Sequence, residues 1–270
     1  MRQQFILPSL FLSALIFLLS FTQAAQAATR WQMADDGSIT LSGDNLSGYS
    51  DHIEMSGKRV SVVLRYAVQK DGSLSVNKGM VWPMLRTVPN NTHASLMRRV
   101  GWDLMDELII NNYRASHDKV ERITLKATLR ADSRWGDAAV TRQWFPSTEQ
   151  PAVMEILTVR NLGSKDMKVT IPYYNNVSFT DPAKGVKGSY AVRCVALNPQ
   201  TVTLSKGESV EFHAAIVGEE TDKFQIPNFK FKNHLSSQLR NFRLAFLYTR
   251  FDFFFTFCHV LSSSSSYVSS

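Results

Sequence analysis

From residue 28 to residue 222, apolar side chains recur mostly at every second position, the period that sends neighbours to opposite faces of a sheet. Val60, Val62, Leu64, Tyr66 and Val68 alternate with Arg59, Ser61, Val63, Arg65 and Ala67. Ile123, Leu125, Ala127 and Leu129 alternate with Arg122, Thr124, Lys126, Thr128 and Arg130, and predict one continuous strand. Val210, Phe212, Ala214 and Ile216 alternate with Ser209, Glu211, His213 and Ala215. Each pattern predicts a strand with one face on a core and one toward water. Further strands are predicted over 38–41, 52–55, 138–145, 153–160, 167–174, 190–197 and 201–204. Asp35-Asp36-Gly37, Lys70-Asp71-Gly72, Gly163-Ser164-Lys165-Asp166 and Lys206-Gly207-Glu208 supply turn chemistry between them. Ser95–Arg99 reads as a strand or as one helical turn. Many short strands without a helical repeat predict an all-β fold, a large antiparallel β-sandwich in one domain over residues 28–222.

Two flanking segments break the pattern. At the amino end, Arg2 precedes an uncharged run from Phe5 to Phe21 and a small-x-small site at Ala25-Gln26-Ala27. This predicts a cleavable signal peptide over 1–27 and export to a periplasmic or extracellular space. The alternative is an uncleaved anchor, but the run is near the low end of the ~17–25 residues a bilayer needs. At the other end, ten of the seventeen Phe lie beyond Lys223, where no Gly or Trp occurs. Residues 223–270 hold no steady period and read as an irregular tail, the expected product of a frameshift or a misplaced gene end. A membrane helix there is opposed by Arg243, Arg250 and Asp252.

The formal net charge of +7 resolves on inspection into the flanks. Arg2, and six basic residues against Asp252 beyond residue 222, carry nearly all of it, so residues 28–222 are close to neutral. Such a domain has no electrostatic reason to bind nucleic acid. The two cysteines, Cys194 and Cys258, fall in unlike segments, so no disulfide framework is expected despite export. Cys194 alternates with apolar neighbours and reads as a small buried side chain.

Candidate chemistry is sparse. The six histidines are scattered, with no H-x-x-x-H, no Cys-x-x-Cys, no G-x-S-x-G and no phosphate-cradling glycine loop, so neither a metal nor a cofactor is expected. Paired-carboxylate catalysis would draw on Asp103, Asp106, Glu107, Asp132, Asp137 and Glu155. Asp103, Asp106 and Glu107 read as loop acids in water. Glu155, inside an apolar strand, reads as a structural carboxylate paired opposite an Arg. The densest mixture of aromatic and polar groups runs from Trp82 to His93, where two prolines argue for an ordered loop or edge. Trp82, Arg86, Asn90, Asn91 and His93 are therefore the candidates for carbohydrate contact or for docking another domain.

Four stretches carry a family likeness: residues 52–57 running on to Trp82–His93; Arg142–Ser147 with Pro151–Glu155; Leu157–Gly163; and Val202–Ser209. Together they resemble the amino-terminal β-sandwich of secreted bacterial six-hairpin glycosidases, the α-L-rhamnosidase-like and glycogen-debranching-like hydrolases, over roughly residues 30–220. In that group a helical linker and a catalytic (α/α)6 toroid follow the sandwich, and the toroid supplies both catalytic carboxylates. The resemblance thus implies a non-catalytic fragment of an exported glycoside hydrolase, inactive by itself, and assigns no catalytic residue here. The alternative is a stand-alone carbohydrate-binding or surface-interaction module. Sugar identity, linkage and stereochemical outcome are not encoded in any motif.

Overall fold

The computed structural model describes residues 30–91 and 93–223. The expected signal peptide, and the expected tail apart from Lys223, lie outside the described residues. Near the amino end, β1 (Gln32–Met33) and β2 (Ile39–Ser42) precede a run of four antiparallel strands: β3 (Ser50–Ser56), β4 (Ser61–Val68), β5 (Leu74–Arg86) and β6 (Ser95–Val100). A 3-10 turn at Leu104–Glu107 leads to β7 (Ile109–Ile110) and β8 (Tyr113–Arg114). Then follow β9 (Lys119–Leu125), β10 (Leu129–Trp135), β11 (Ala138–Pro146), β12 (Ala152–Asn161) and β13 (Met167–Ile171). The last four are β14 (Asn175–Phe179), β15 (Tyr190–Ala196), β16 (Gln200–Leu204) and β17 (Ser209–Glu220).

These strands make three antiparallel sheets. The largest has nine strands in the order β1-β2-β9-β10-β11-β12-β17-β15-β14, and two four-stranded sheets have the orders β3-β4-β5-β6 and β16-β13-β7-β8. The expected all-β antiparallel sandwich is what forms, and among the described residues no helix is long and apolar enough to cross a membrane.

Alternation explains how the layers meet. On β11, Ala138, Val140, Arg142 and Trp144 share a face; on β12, Val153, Glu155, Leu157 and Val159 do; on β17, Phe212, Ala214 and Ile216 do. Trp144, Val153 and Ile216 pack in one hydrophobic core with Val62, Leu64, Tyr66 and Met80 of the first small sheet. Ala138, Val140, Leu157, Val159 and Phe212 pack in a second core with Ile110, Val169 and Leu204 of the other. One face of the nine-stranded sheet is thus roofed by two small sheets side by side. Arg142 and Glu155 sit in the same inward register, between the two cores.

Two sequence expectations change in detail. The alternation through Ile123–Leu129 is a hairpin rather than one strand: β9 ends at Leu125, Lys126 donates its N–H to the Thr128 carbonyl at 3.1 Å, and Ala127 takes a left-handed φ of 55°. Period 2 survived across the turn because Leu125 and Leu129 are themselves paired across it. The Trp82–His93 segment starts as the end of strand β5 and not as a loop. Pro83 falls in a register shift between Trp82 and Arg86, where it owes no ladder hydrogen bond, and Pro89 lies past the end of β5. Ser95–Arg99 is a strand, part of β6.

Candidate functional site

The seam between the two cores holds the densest cluster of buried charge. Lys78 enters from β5 and Arg142 from β11. Glu155 enters from β12, with its backbone register opposite Trp144. Asp103 caps the 3-10 turn: its Oδ1 accepts from the Met105 N–H at 3.0 Å, and Asp106 Oδ2 accepts from the Asp103 N–H at 3.2 Å. This reciprocal capping box fixes the Asp103 carboxylate in the seam. Asp118 lies at the entrance to β9, held by a hydrogen bond from Ser133 Oγ at 2.5 Å.

Lys78 Nζ donates to the Trp102 carbonyl at 2.8 Å and lies 3.5 Å from Asp103 Oδ2. Arg142 Nη1 donates to Asp103 Oδ1 at 3.2 Å, and its Nη2 is 3.6 Å from Asp118 Oδ2. The guanidinium also sits 5.3 Å from the Trp144 ring centroid, a cation–π arrangement. The side chains of Lys78 and Arg142 are 1% and 3% exposed, so both charges depend on these partners rather than on water.

Glu155 completes the balance. Its Oε2 accepts from the Leu104 N–H at 3.1 Å, while Oε1 meets no donor, because its neighbour Asp103 is itself an acceptor. A proton on Glu155 converts that conflict into a carboxyl–carboxylate hydrogen bond. Burial, then the charge of Asp103, push the Glu155 carboxyl up to about 8. Burial also works against ionised Asp103, but Lys78 and Arg142 outweigh it and hold that carboxyl well below the usual range. With Glu155 protonated, two cations face two carboxylates.

This arrangement builds structure rather than acid–base chemistry on a sugar. A glycosidase pair stands about 5–9.5 Å apart with the substrate between. Asp103 and Glu155 touch, and Glu155 is closed in by Leu104 and Trp144.

A cavity of about 510 Å³ opens onto the other side of the cluster. Asp103, Asp118 and Arg142 form its floor, Leu74–Val76 of β5 one wall, and residues 114–117 the other. Among the described residues, no group of three His, Cys, Asp or Glu side chains is disposed to hold a metal ion.

The five residues singled out from sequence lie elsewhere. Trp82 is fully buried in the first core, where its Nε1 donates to the Pro151 carbonyl at 2.9 Å. Its ring lies so close to Gly218 that a Cβ there would stand 2.5 Å from it. Trp82 therefore serves packing and offers no ring face to a ligand. Arg86, Asn90, Asn91 and His93 do come together. Arg86 Nε donates to Asn90 Oδ1 at 2.9 Å, Arg86 Nη2 donates to the Asn91 carbonyl, and Asn91 Oδ1 accepts from the His93 N–H at 3.1 Å. Reciprocal backbone bonds at 2.9 Å, Val88 N–H to the Lys184 carbonyl and Val186 N–H to that of Arg86, tie this loop to 184–186. It sits at the far end of β5 from the cavity, roughly 40 Å along the strand at about 3.3 Å per residue.

Sequence reasoning anticipated Glu155 as a structural carboxylate near an Arg, but placed Asp103 in water and passed over Lys78, Asp118 and Arg142. A signal for Arg142 was present: it takes the inward position in Ala138-x-Val140-x-Arg142-x-Trp144, where a lone charge requires buried partners. Compared with known proteins, the chain matches no family model and no curated relative.

Proposed function

We propose that the described domain is the non-catalytic β-sandwich of an exported glycoside hydrolase, with the hydrolytic carboxylates carried on a separate domain. The observation that carries this reading is the condition of the buried acids. The buried carboxyls most perturbed by their surroundings, Asp103 and Glu155, are spent on each other, on Lys78 and on Arg142, with no room for a glycosidic bond between them. The extent of the sandwich and the sequence likeness over residues 30–220 support the same assignment. The domain then buttresses a catalytic partner.

Two measurements test this. Incubated with α-glucans and with rhamnosides, the purified chain should release no reducing sugar; turnover abolished by Asp103→Asn or Glu155→Gln would overturn the non-catalytic role. The nucleotide sequence past the codon for Asp222 should contain a frame encoding an (α/α)6 toroid, and a downstream region without one would remove the support for a hydrolase.

A further inference from the structure

The nine-stranded sheet ends at β14, which pairs with β15 on one side alone among the described strands. The Thr180 N–H donates to the Tyr190 carbonyl at 2.9 Å, and the Ala196 N–H to the Tyr174 carbonyl at 3.0 Å. Even-numbered positions of this segment therefore bond toward β15, and the backbone N–H and C=O groups of Asn175 and Val177 turn away from it. No other described strand meets them. Such an edge is a template for another strand, and native sheets guard their edges by shortness, charge or cover. The other edges of this molecule are guarded. β1 and β8 have two residues each. β3 carries Asp51, His52 and Glu54, and β6 carries Arg98 and Arg99. At the end of β16 the Leu204 carbonyl accepts from Asn161 Nδ2 at 2.9 Å. Around β14, residues 172–180 hold no charge at all.

The same neutrality selects the partner. Across a two-fold axis each residue meets itself or its symmetry mate, so any charge at the centre would face its own sign, and an uncharged edge is compatible with itself. The register is set by the exposed rings. Tyr173 and Phe179 are 74% and 54% exposed, and Asn175 Nδ2 donates to Tyr173 Oη at 3.1 Å, which holds that ring on the sheet face of Asn175, Val177 and Phe179. An axis through Asn176 sets Asn175 against Val177 of the second copy, so that their outward backbone groups bond, and it sets Tyr173 against Phe179. An axis through Val177 would set Tyr173 against Asp181 instead. We propose that β14 is a homodimerisation edge, pairing antiparallel with β14 of a second copy about an axis at Asn176. The two nine-stranded sheets then run on as one, and because the same edge serves both copies the assembly closes as a dimer. The two Asn176 Cα atoms stand about 4.5 Å apart, the spacing of a pair that exchanges no backbone hydrogen bonds. This pairing does not rest on the hydrolase assignment.

Sedimentation velocity of the full chain tests it, and a concentration-dependent dimer is expected. Asn176 is exposed, so a charge there leaves the fold intact, which thermal unfolding checks. Asn176→Lys sets two ammonium groups against each other at the axis and should weaken dimerisation by about tenfold or more, as should Asn176→Asp with two carboxylates. An equal mixture of the two variants should recover the dimer, as a heterodimer with opposite charges at the axis. Met97→Lys, on the β6 edge, should leave dimerisation unchanged. A wild-type chain that stays monomeric at its highest soluble concentration would overturn the proposal. So would a dimer that survives both charged variants, or a mixture that remains monomeric. The hydrolase reading stands or falls separately, on turnover and on the downstream frame.

Discussion

At the scale of single residues, the seam is governed by one proton. Glu155 holds it in the folded protein, whereas the unfolded chain releases it near the ordinary glutamate pKa of 4.5. Folding must therefore take up a proton at any pH between about 4.5 and 8, and stability falls as pH rises through that window, by up to about 1.4 kcal/mol per unit for one proton. Asp103 has the opposite sign: its depressed pKa contributes stability that is present above the ordinary carboxylate range and lost on acidification. Glu155→Gln keeps an acceptor for the Leu104 N–H and gives a permanent donor to Asp103, so it removes only the first dependence. In urea unfolding, the variant should gain on the wild type steadily from pH 5 to pH 8. Parallel pH curves would mean that Glu155 is already ionised in the fold. The proton was not legible in the sequence, because it arises from Asp103, Lys78 and Arg142 arriving from positions 13 to 77 residues away from one another or from Glu155.

At the scale of elements, legibility followed the range of the physics. Turn chemistry is local, and Lys70-Asp71-Gly72 is a turn for the expected reason: Gly72 has φ 87°, and Asp71 Oδ1 accepts from the Ser73 N–H and Oγ at 2.9 and 2.7 Å. Strand alternation is also local, and β4 and β17 stand where it placed them. The β9–β10 turn was hidden because its left-handed residue is an alanine, the residue type that gives least warning of a positive φ. An L-residue in that region carries a cost of roughly 1–2 kcal/mol that glycine avoids, offset in part by the greater freedom of glycine in the unfolded chain. Ala127→Gly should therefore raise stability by about 0.5–1 kcal/mol in denaturant unfolding, without moving the strands on either side. A loss of stability would show that the Ala127 methyl contributes more than its backbone costs.

At the scale of the whole molecule, the question is whether two cores under two separate roofs behave as two bodies. The strands answer it. β11, β12 and β17 each contribute inward side chains to both cores, Trp144, Val153 and Ile216 to one and Val140, Leu157 and Phe212 to the other. Either small sheet can leave only by exposing part of strands that the other still needs, and by opening the shared ion cluster, where stranding one partner of a buried pair costs about 3–5 kcal/mol. Cooperative unfolding follows, with both cores lost together. Leu64→Ala in the first core and Leu157→Ala in the second should each cost about 2–5 kcal/mol, the range for large-to-small changes in a packed interior. Each should shift one common transition, seen alike by tryptophan fluorescence and by far-ultraviolet circular dichroism. If Leu64→Ala instead splits the transition and leaves a stable remnant, the first small sheet is a separable roof, and the seam is a boundary between folding units rather than the joint that unites them.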